Sequence, residues 1–192
     1  MGAPLIVSLE GLPGSGKTTT AKLVAELEGI RYVHERSKEV PFLDAFYVDV
    51  ERYKLETELC FVLVHYHQYR DLNEPAVLDY SPVKDLVFAD LNLRGSDYEL
   101  FNAVYKRTSG SLPRPARAVY LDLEDDHLLE RIAARGREYE RDFDRGYLAR
   151  LRDAYEQRFD ELAETVARVP VERSYSRDEV AAAVQIALQR LV

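Results

Sequence analysis

The sequence predicts an α/β fold in which a five-stranded parallel sheet carries helices on both faces. Short apolar runs alternate with longer stretches of helical periodicity, which is typical of strands and helices that alternate in a parallel sheet. A glycine-rich turn also lies between the first apolar run and the first helical stretch. The 192 residues can bury a full-sized core, and no linker or repeat divides them, so we expect one domain over residues 1–192.

The elements follow one another in a regular order. The predicted strands are Leu5–Glu10, Arg31–Glu35, Ala76–Asp79, Ala118–Leu121 and Ala167–Val171. The predicted helices are Lys17–Leu27, Val50–Arg70, Ser96–Thr108, Asp125–Arg135, Gly146–Val166 and Ser176–Leu191. Two helices begin with a capping box, Ser96 with Glu99 and Ser176 with Glu179, in which each side chain can bind an amide that the helix start leaves free.

The composition argues against several classes of partner. The net charge of −8 gives no general attraction for nucleic acid or anionic lipid, so we expect neither nucleic acid nor a membrane as a partner. Cys60 is the only cysteine, so no internal disulfide can form, and we expect a cytoplasmic location. The apolar run from Leu5 to Leu9 is too short for a signal peptide or a membrane span.

Residues 11–18 read GLPGSGKT and fit the phosphate-binding pattern G-x-x-x-x-G-K-[ST] completely. Glycines let such a turn aim its backbone amides at an anion, and the following helix adds the positive end of its dipole. Lys17 can reach the outer phosphates, and the Thr18 hydroxyl can take a coordination position on Mg²⁺. The residues expected to bind ATP here are Gly11, Pro13, Gly14, Ser15, Gly16, Lys17, Thr18 and Thr19.

A phosphate-binding turn alone does not separate a kinase from a GTPase or a motor ATPase. A GTPase would need a base-specificity motif of the N-K-x-D type after a later strand, and the sequence has none. Motor ATPases are usually larger and carry further sensor elements. The small size therefore favours a kinase that acts on a small molecule.

Two acidic residues end neighbouring predicted strands. Glu35 ends the second strand and Asp79 ends the third, and ligands of open α/β sheets bind beyond the carboxyl ends of the strands. A carboxylate near the transferred phosphoryl group can hold Mg²⁺, and a second one can accept the proton of an attacking hydroxyl. The alternative is that each acid caps a helix or lies in solvent, and we favour the functional interpretation because both acids lie beside the phosphate-binding turn.

Arginines cluster in one stretch, and we interpret residues 131–146 as a lid. The arginines are Arg131, Arg135, Arg137, Arg141 and Arg145. A solvated helix with ion pairs four residues apart would show the same pattern, because acids lie between them. Gly136, however, interrupts the helical pattern beside the densest arginines, which suits a mobile flap. We therefore favour a lid that closes over ATP and offsets charge on the γ-phosphoryl group.

Residues from about 5 to 165 together resemble the deoxynucleoside kinase family. The resemblance rests on the order and spacing of several short motifs. They are residues 11–18, Glu35, Pro41-Phe42-Leu43 with Phe46-Tyr47, Glu51-Arg52-Tyr53, Leu78-Asp79 with Ser81 and Asp85, and Leu128-Leu129-Glu130-Arg131 with Arg135-Gly136-Arg137 and Glu140. The resemblance implies a P-loop kinase fold, ATP and Mg²⁺ as cofactors, a small nucleoside substrate and a homodimer.

The resemblance also implies roles for single residues. Glu35 would be the general base for the 5′-hydroxyl, and Asp79 would join Thr18 in holding Mg²⁺. Lys17 and the lid arginines would act on phosphates; these arginines are Arg131, Arg135 and Arg137. Tyr47 and Glu140 would hold the sugar 3′-hydroxyl. The residues that would form the nucleoside site are Glu35, Tyr47, Tyr53, Glu58, His65, Asp85 and Glu140.

The chain departs from the family pattern directly after Asp79. Where the family has an acid followed by Arg-Ser, this chain has Asp79-Tyr80-Ser81, so a positive charge near the reacting oxygen is missing. Tyrosine cannot replace the fixed charge of a guanidinium group. Arg36 lies where the family usually has proline, and we hypothesise that Arg36 supplies this charge as a catalytic residue.

Two further departures lie in the base pocket. Glu58 replaces the usual glutamine, and His65 replaces an arginine found in several members. An ionised glutamate only accepts hydrogen bonds, which would suit the two donors on the N1 and N2 edge of guanine. Glu58 could instead pair with His65 or Arg70, so the sequence leaves the base open.

The expected function is ATP-dependent phosphorylation of the 5′-hydroxyl of a nucleoside or deoxynucleoside. One alternative is a nucleoside monophosphate kinase of the thymidylate type, which shares the P-loop and an arginine lid and could bind its acceptor phosphate with Arg36. A second alternative is a catalytically weakened nucleotide-binding partner protein, and Tyr80 is the feature that motivates it.

Overall fold

A parallel sheet organises the structure, a computed structural model that describes residues 5–110, 112, 117–137, 140, 143–160 and 166–190. The strands are β1 (Ile6–Glu10), β2 (Arg31–Val33), β3 (Ala76–Leu78), β4 (Arg117–Asp122) and β5 (Val166–Pro170). Their order across the sheet is β2-β3-β1-β4-β5, and every neighbouring pair is parallel. The predicted five-stranded parallel sheet is confirmed.

The central strands β1 and β3 are mostly apolar and are covered on both faces. Every residue of β1 and of β3 is buried. Continuous runs of Val, Leu and Ile are typical of parallel strands that helices cover on both sides. Ser8 of β1 lies opposite Leu78 of β3, so the residues that follow these two strands meet at the same edge of the sheet.

Helices connect the strands. They are α1 (Lys17–Glu28), α2 (Leu43–Val48), α3 (Val50–Tyr69), α4 (Pro82–Asn92), α5 (Gly95–Ser109), α6 (Asp125–Arg135), α7 (Arg145–Asp160) and α8 (Arg177–Arg190). A short 3₁₀ helix, Ser37–Glu39, follows β2. Right-handed crossovers place α1 on one face of the sheet and the connections through α4 and α7 on the other. The packing agrees, because α1 contacts α8 whereas α4 contacts α7.

The structure differs from the sequence prediction in several elements. The helix α4, together with the short α2, was absent from the predicted elements. The predicted helix Gly146–Val166 is too long, because Val166 already belongs to β5. The predicted strand Arg31–Glu35 is also too long, since β2 ends at Val33.

The two predicted capping boxes had different outcomes. At α8 the Glu179 amide donates to the Ser176 hydroxyl (3.3 Å) and the Ser176 amide donates to the Glu179 carboxylate (2.7 Å), which confirms the motif. At α5 the prediction is wrong, because the helix begins one residue earlier and its N-cap, Arg94, makes no side-chain capping bond.

None of the helices in the described part of the chain has the length and apolar character that a membrane crossing requires. The single domain over residues 1–192 stays a prediction.

Candidate active site

The P-loop, residues 11–18, connects β1 to α1 in a conformation that glycine adopts most readily. Gly11, Gly14 and Gly16 have positive φ angles of 143°, 83° and 96°. A Cβ atom at Gly11 would lie 2.7 Å from the Ser15 hydroxyl oxygen and 2.9 Å from the Leu121 carbonyl oxygen. The turn therefore needs its glycines, and its residues line a cleft of about 890 Å³.

Lys17 lies at the centre of the P-loop. Its Nζ atom donates hydrogen bonds to the carbonyl oxygens of Gly11 (2.7 Å) and Leu12 (3.0 Å). Burial, and after it the charge of the nearby Lys84, lowers the pKa of Lys17 to about 8. A phosphate in the P-loop would favour the charged form again, so this lysine gains favourable interactions when a polyanion binds.

Asp79, directly after β3, accepts four hydrogen bonds at the edge of the P-loop. Its Oδ2 atom accepts from the Thr18 hydroxyl (2.7 Å), the Tyr32 hydroxyl (2.9 Å) and the His34 ring (2.8 Å). Its Oδ1 atom accepts from the backbone amide of Glu35 (2.7 Å). The last bond fixes the loop after β2 to the end of β3, which places Glu35 in the cleft although it lies beyond the strand.

Thr18 and Asp79 offer the chemistry that a magnesium site requires. A hydroxyl and a carboxylate oxygen lie 2.7 Å apart beside the phosphate-binding turn. Mg²⁺ prefers oxygen ligands and is usually held by one or two protein groups together with waters and substrate phosphates. The two predicted metal ligands therefore fit the ion.

Glu35 is an ionised carboxylate between two cationic groups. Lys84 Nζ donates to its Oε1 atom at 2.5 Å, and His65 Nε2 lies 3.4 Å from the same oxygen. Burial favours the neutral form, but Lys84 and then His65 outweigh it and hold the pKa of Glu35 well below its usual range. The Glu35 side chain is 16% exposed and lines the cleft, so it can meet a ligand.

The structure does not support Arg36 as the missing cation. Its guanidinium group is half exposed, lies 3.5 Å from the Glu39 carboxylate, and is not among the groups that line the cleft. Tyr80 is fully buried, with its ring 4.3 Å from the His65 ring. The positive charge beside Glu35 comes instead from Lys84, which sequence reasoning missed.

The predicted base-pocket residues meet in a side pocket of about 50 Å³ beside the cleft. Glu58 and Asp85 line this pocket, and His65, which is not part of the lining, donates from Nδ1 to Asp85 (2.7 Å). Burial would lower the pKa of His65, but Asp85 and Glu35 outweigh it and raise that pKa to about 9. His65 is therefore an imidazolium at neutral pH and joins the two carboxylates.

Glu58 has a partner that the sequence did not suggest. Its Oε1 atom accepts a hydrogen bond from the Asn92 side-chain amide (2.7 Å), rather than from His65 or Arg70. Burial raises the pKa of Glu58 to about 8, so it is largely protonated at neutral pH. The earlier argument for guanine assumed an ionised Glu58 and therefore loses its basis.

The predicted lid begins within a regular helix. Arg131 and Arg135 lie on α6, which ends at Gly136 with a left-handed φ of 66°. Arg135 forms a two-pronged ion pair with the buried Glu140, and Arg137 lies 3.6 Å from the same carboxylate. All four charged groups line the cleft. Arg141 lies outside the described residues.

Most of the predicted site residues line this cleft. They are Gly11, Pro13, Gly14, Ser15, Gly16, Lys17, Thr18, Thr19, Glu35, Tyr47, Asp79, Arg131, Arg135, Arg137 and Glu140. Tyr53 does not join them, because its ring stacks against Phe42 with the ring centroids 6.3 Å apart. Arg145 is also elsewhere and pairs with the exposed Asp126.

Two functional candidates, Lys84 and Asn92, lie at opposite ends of α4. The sequence analysis did not predict that helix, although one local sequence signal for its start is present. Ser81 caps the helix by accepting a hydrogen bond from the Val83 amide (3.1 Å), and Pro82 occupies the first turn. A serine followed by proline is a recognised helix start, so this signal could have located Lys84 near the cleft.

Comparisons with known proteins find relatives over most of the chain. A family model described as "Deoxynucleoside kinase" matches residues 7–187. The deoxyguanosine kinase of Bacillus subtilis (strain 168) is 30% identical over 169 residues, which are 84% of this chain and 81% of the relative. The deoxyadenosine/deoxycytidine kinase of the same organism is 27% identical over 162 residues, which are 79% of this chain and 75% of that relative.

A solved structure shares the fold. The structure of deoxyadenosine kinase from M. mycoides with bound dCTP superposes with a TM-score of 0.81 at 19% identity, and the match covers 97% of this chain and all of the other. The family match spans almost the whole chain, and the P-loop and Glu35 lie in one cleft within it. The chain belongs to the deoxynucleoside kinase family.

Proposed function

We propose that the protein transfers the γ-phosphoryl group of ATP to the 5′-hydroxyl of a deoxynucleoside. The observation that carries the proposal is an ionised carboxylate, Glu35, in the same cleft as a complete P-loop. The P-loop and Lys17 would bind the phosphates, and the carboxylate would receive the proton of the attacking alcohol. The family membership supports the same reaction class.

The chemistry balances on these groups. The 5′-oxygen forms a bond to the γ-phosphorus, the bond from that phosphorus to the β,γ-bridging oxygen breaks, and ADP leaves. The hydroxyl proton passes to the Glu35 carboxylate. A strongly acidic Glu35 is a weak base, so the proton moves late, when bond formation to phosphorus has made the hydroxyl more acidic.

We propose that Thr18 and Asp79 hold Mg²⁺ together with the phosphates. The ion, when bound, would neutralise charge on the transferring group and orient it. Asp79 would at the same time keep Glu35 in place through the backbone amide of Glu35.

The arginines of the lid would bind phosphate oxygens. Arg131 contacts the P-loop through the Gly14 carbonyl (3.5 Å), and Arg135 is paired with Glu140. We propose that Glu140 and Tyr47 bind the sugar 3′-hydroxyl, because both line the cleft. Because Glu140 pairs with Arg135, sugar binding would be coupled to the position of Arg135.

The charges on the acceptor side support a neutral acceptor over a nucleoside monophosphate. Lys84 and His65 are already committed to Glu35, and Arg135 is committed to Glu140. Arg36, proposed from the sequence as the cation for an acceptor phosphate, pairs with Glu39 outside the cleft lining. We therefore favour a nucleoside over a monophosphate.

Tyr80 motivated the alternative of a weakened partner protein. Lys84 removes much of that motivation, because it places a cation beside Glu35.

A homodimer stays a proposal based on the family. The cytoplasmic location rests on the single cysteine and stays a prediction. The base also stays open, since named relatives act on guanine, adenine or cytosine deoxynucleosides.

A coupled assay of ADP release tests the proposal across the four deoxynucleosides, the matching ribonucleosides and their monophosphates. We expect turnover with at least one deoxynucleoside and a 5′-monophosphate as its product. Glu35→Gln should lower kcat by about a hundredfold or more. Glu39→Gln, a variant of an exposed acid outside the cleft lining, is the matched control. Turnover with monophosphates alone would support the thymidylate-type alternative, and ATP binding without any product would support the partner protein.

A further inference from the structure

We propose that Lys84 is a positioning residue for phosphoryl transfer and supplies, from the first turn of α4, the positive charge that residue 80 lacks. The proposal rests on the proposed function, because it assigns Lys84 a role through the base Glu35. It replaces Arg36 with a group that the structure places in the cleft.

Residue 80 cannot serve this purpose here. Tyr80 is fully buried, and its ring packs against His65 (centroids 4.3 Å apart) and Tyr69 (5.6 Å). Its hydroxyl oxygen has no hydrogen-bond partner among the described residues. The side chain directly after Asp79 has therefore become part of the core, and the cation that faces the cleft must come from another position.

The helix α4 holds Lys84 rigidly at the cleft. The Ser81 cap and Pro82 fix the first turn of this helix. The rings of Phe61 and Phe88 both lie near the ammonium group, each with its centroid 5.5 Å from Nζ. Such aromatic walls favour a cation and restrict its movement, so Nζ is directed at one carboxylate oxygen.

Lys84 lies where the cleft and the base pocket meet, because it lines both of them. Its Nζ atom and His65 Nε2 both approach Oε1 of Glu35, at 2.5 Å and 3.4 Å. We assign the other oxygen, Oε2, to the substrate hydroxyl. With Oε1 held in place, the carboxylate keeps a fixed orientation while the proton of the alcohol is transferred.

A purely structural ion pair is the competing explanation, since buried pairs also hold folds together. The two explanations differ in what they predict for catalysis. A positioning role needs a cation at this point in space during turnover, whatever molecule carries it. A structural role needs only a folded protein, so stability would change but kcat in the folded variant would not.

The experiment compares Lys84→Met with Lys84→Arg and with Lys84→Ala in added ethylammonium. We expect Lys84→Met to lower kcat by about a hundredfold or more while the KM for ATP changes by less than about fivefold. Lys84→Arg should recover at least about tenfold of the loss, because it restores a cation. Ethylammonium should raise kcat of Lys84→Ala in a saturable way and leave the wild type unchanged.

The matched control is Lys54→Met, which removes a lysine that pairs with Glu51 at 2.6 Å outside the cleft lining. Its kcat should stay within about twofold of the wild type. Calorimetric binding of ATP checks that each variant is folded. If Lys84→Met does not fold, the arginine variant and the amine-treated alanine variant decide the question.

Several results would overturn the proposal. One is a folded Lys84→Met with the kcat of the wild type. Another is a kcat that neither Lys84→Arg nor ethylammonium with Lys84→Ala raises. A third is an Arg36→Met that loses turnover while Lys84→Met stays active. The outcome is separable from the proposed function: a wild-type protein without activity on any deoxynucleoside refutes that function, whereas an active wild type with an equally active Lys84→Met refutes this inference alone.

Discussion

Replacing Glu58 by glutamine should stabilise the protein at neutral and alkaline pH. Glu58 is buried and accepts a hydrogen bond from Asn92 (2.7 Å), and burial raises its pKa to about 8. At neutral pH the folded protein therefore holds it mainly as a neutral acid, with Oε1 as an acceptor and a proton available on the second oxygen. Glutamine has the same shape, one acceptor and a donor, and it never ionises.

The magnitude follows from the difference between the folded and unfolded pKa. Below about pH 4.5 both states are protonated, and the carboxyl contributes its full stability. As pH rises from 4.5 towards 8, the unfolded state ionises first, so stability falls and levels off above the folded pKa. The full loss is at most about 5 kcal/mol, and about 3 kcal/mol of it is present at pH 7.

Thermal unfolding from pH 5 to 9 tests this reasoning. The loss of stability between pH 5 and pH 9 is at most about 4 kcal/mol, so the Tm of Glu58→Gln minus that of the wild type should rise by at most roughly 8 to 16 °C. Glu56→Gln, an exposed acid on the same helix, should show a Tm difference that does not change with pH. A Tm difference for Glu58→Gln that is flat or falls with rising pH would refute the proposed protonation of Glu58.

Two further predictions concern the P-loop and the metal site. Gly11→Ala should abolish ATP binding in calorimetry, because its Cβ would lie 2.7 Å from the Ser15 hydroxyl oxygen. The control Gly29→Ala, with nothing within 4 Å of its Cβ, should lower stability by only about 1 kcal/mol and keep ATP binding. Equal ATP affinity in both variants would contradict the role of the turn. Asp79→Asn should raise the Mg²⁺ concentration for half-maximal turnover by about tenfold or more. The control Asp71→Asn, at an exposed acid, should leave that concentration unchanged. An unchanged Mg²⁺ dependence in Asp79→Asn would contradict the assignment of Asp79 as a ligand.

The sequence predicts the part of the site that is local in the chain. The P-loop needs consecutive residues 11–18 and an apolar strand before it, so all of its constraints appear within about a dozen positions. The same holds for α6, whose predicted bounds agree with the structure because an acidic start and Gly136 mark its two ends. The sheet also follows from short apolar runs, which are typical of parallel strands covered on both faces.

Helix α4 shows why periodicity alone was insufficient. The helix packs against α3, α5 and α7, and its buried residues Asp85, Val87 and Ala89 do not form a single apolar stripe. Asn92 reaches Glu58 from the far end of this helix, 34 residues away in sequence. The burial of Glu58 and its hydrogen bond to Asn92 both depend on that long-range packing. The sequence does not show them, so it gave no reason to expect a neutral Glu58.

The missing cation was sought next to Glu35 in sequence because motif comparison matches positions, whereas catalysis needs a charge at a point in space. Arg36 follows Glu35 directly, yet it caps the 3₁₀ helix Ser37–Glu39, and its guanidinium group pairs with Glu39 of that helix outside the cleft lining. Lys84 lies 49 residues from Glu35 and contacts it, because the parallel pairing of β2 and β3 brings the loop after β2 beside the start of α4. Tyrosine in place of arginine at residue 80 is therefore compatible with phosphoryl transfer. Another element that meets at this sheet edge, here α4 with Lys84, can present a cation to the carboxylate of Glu35.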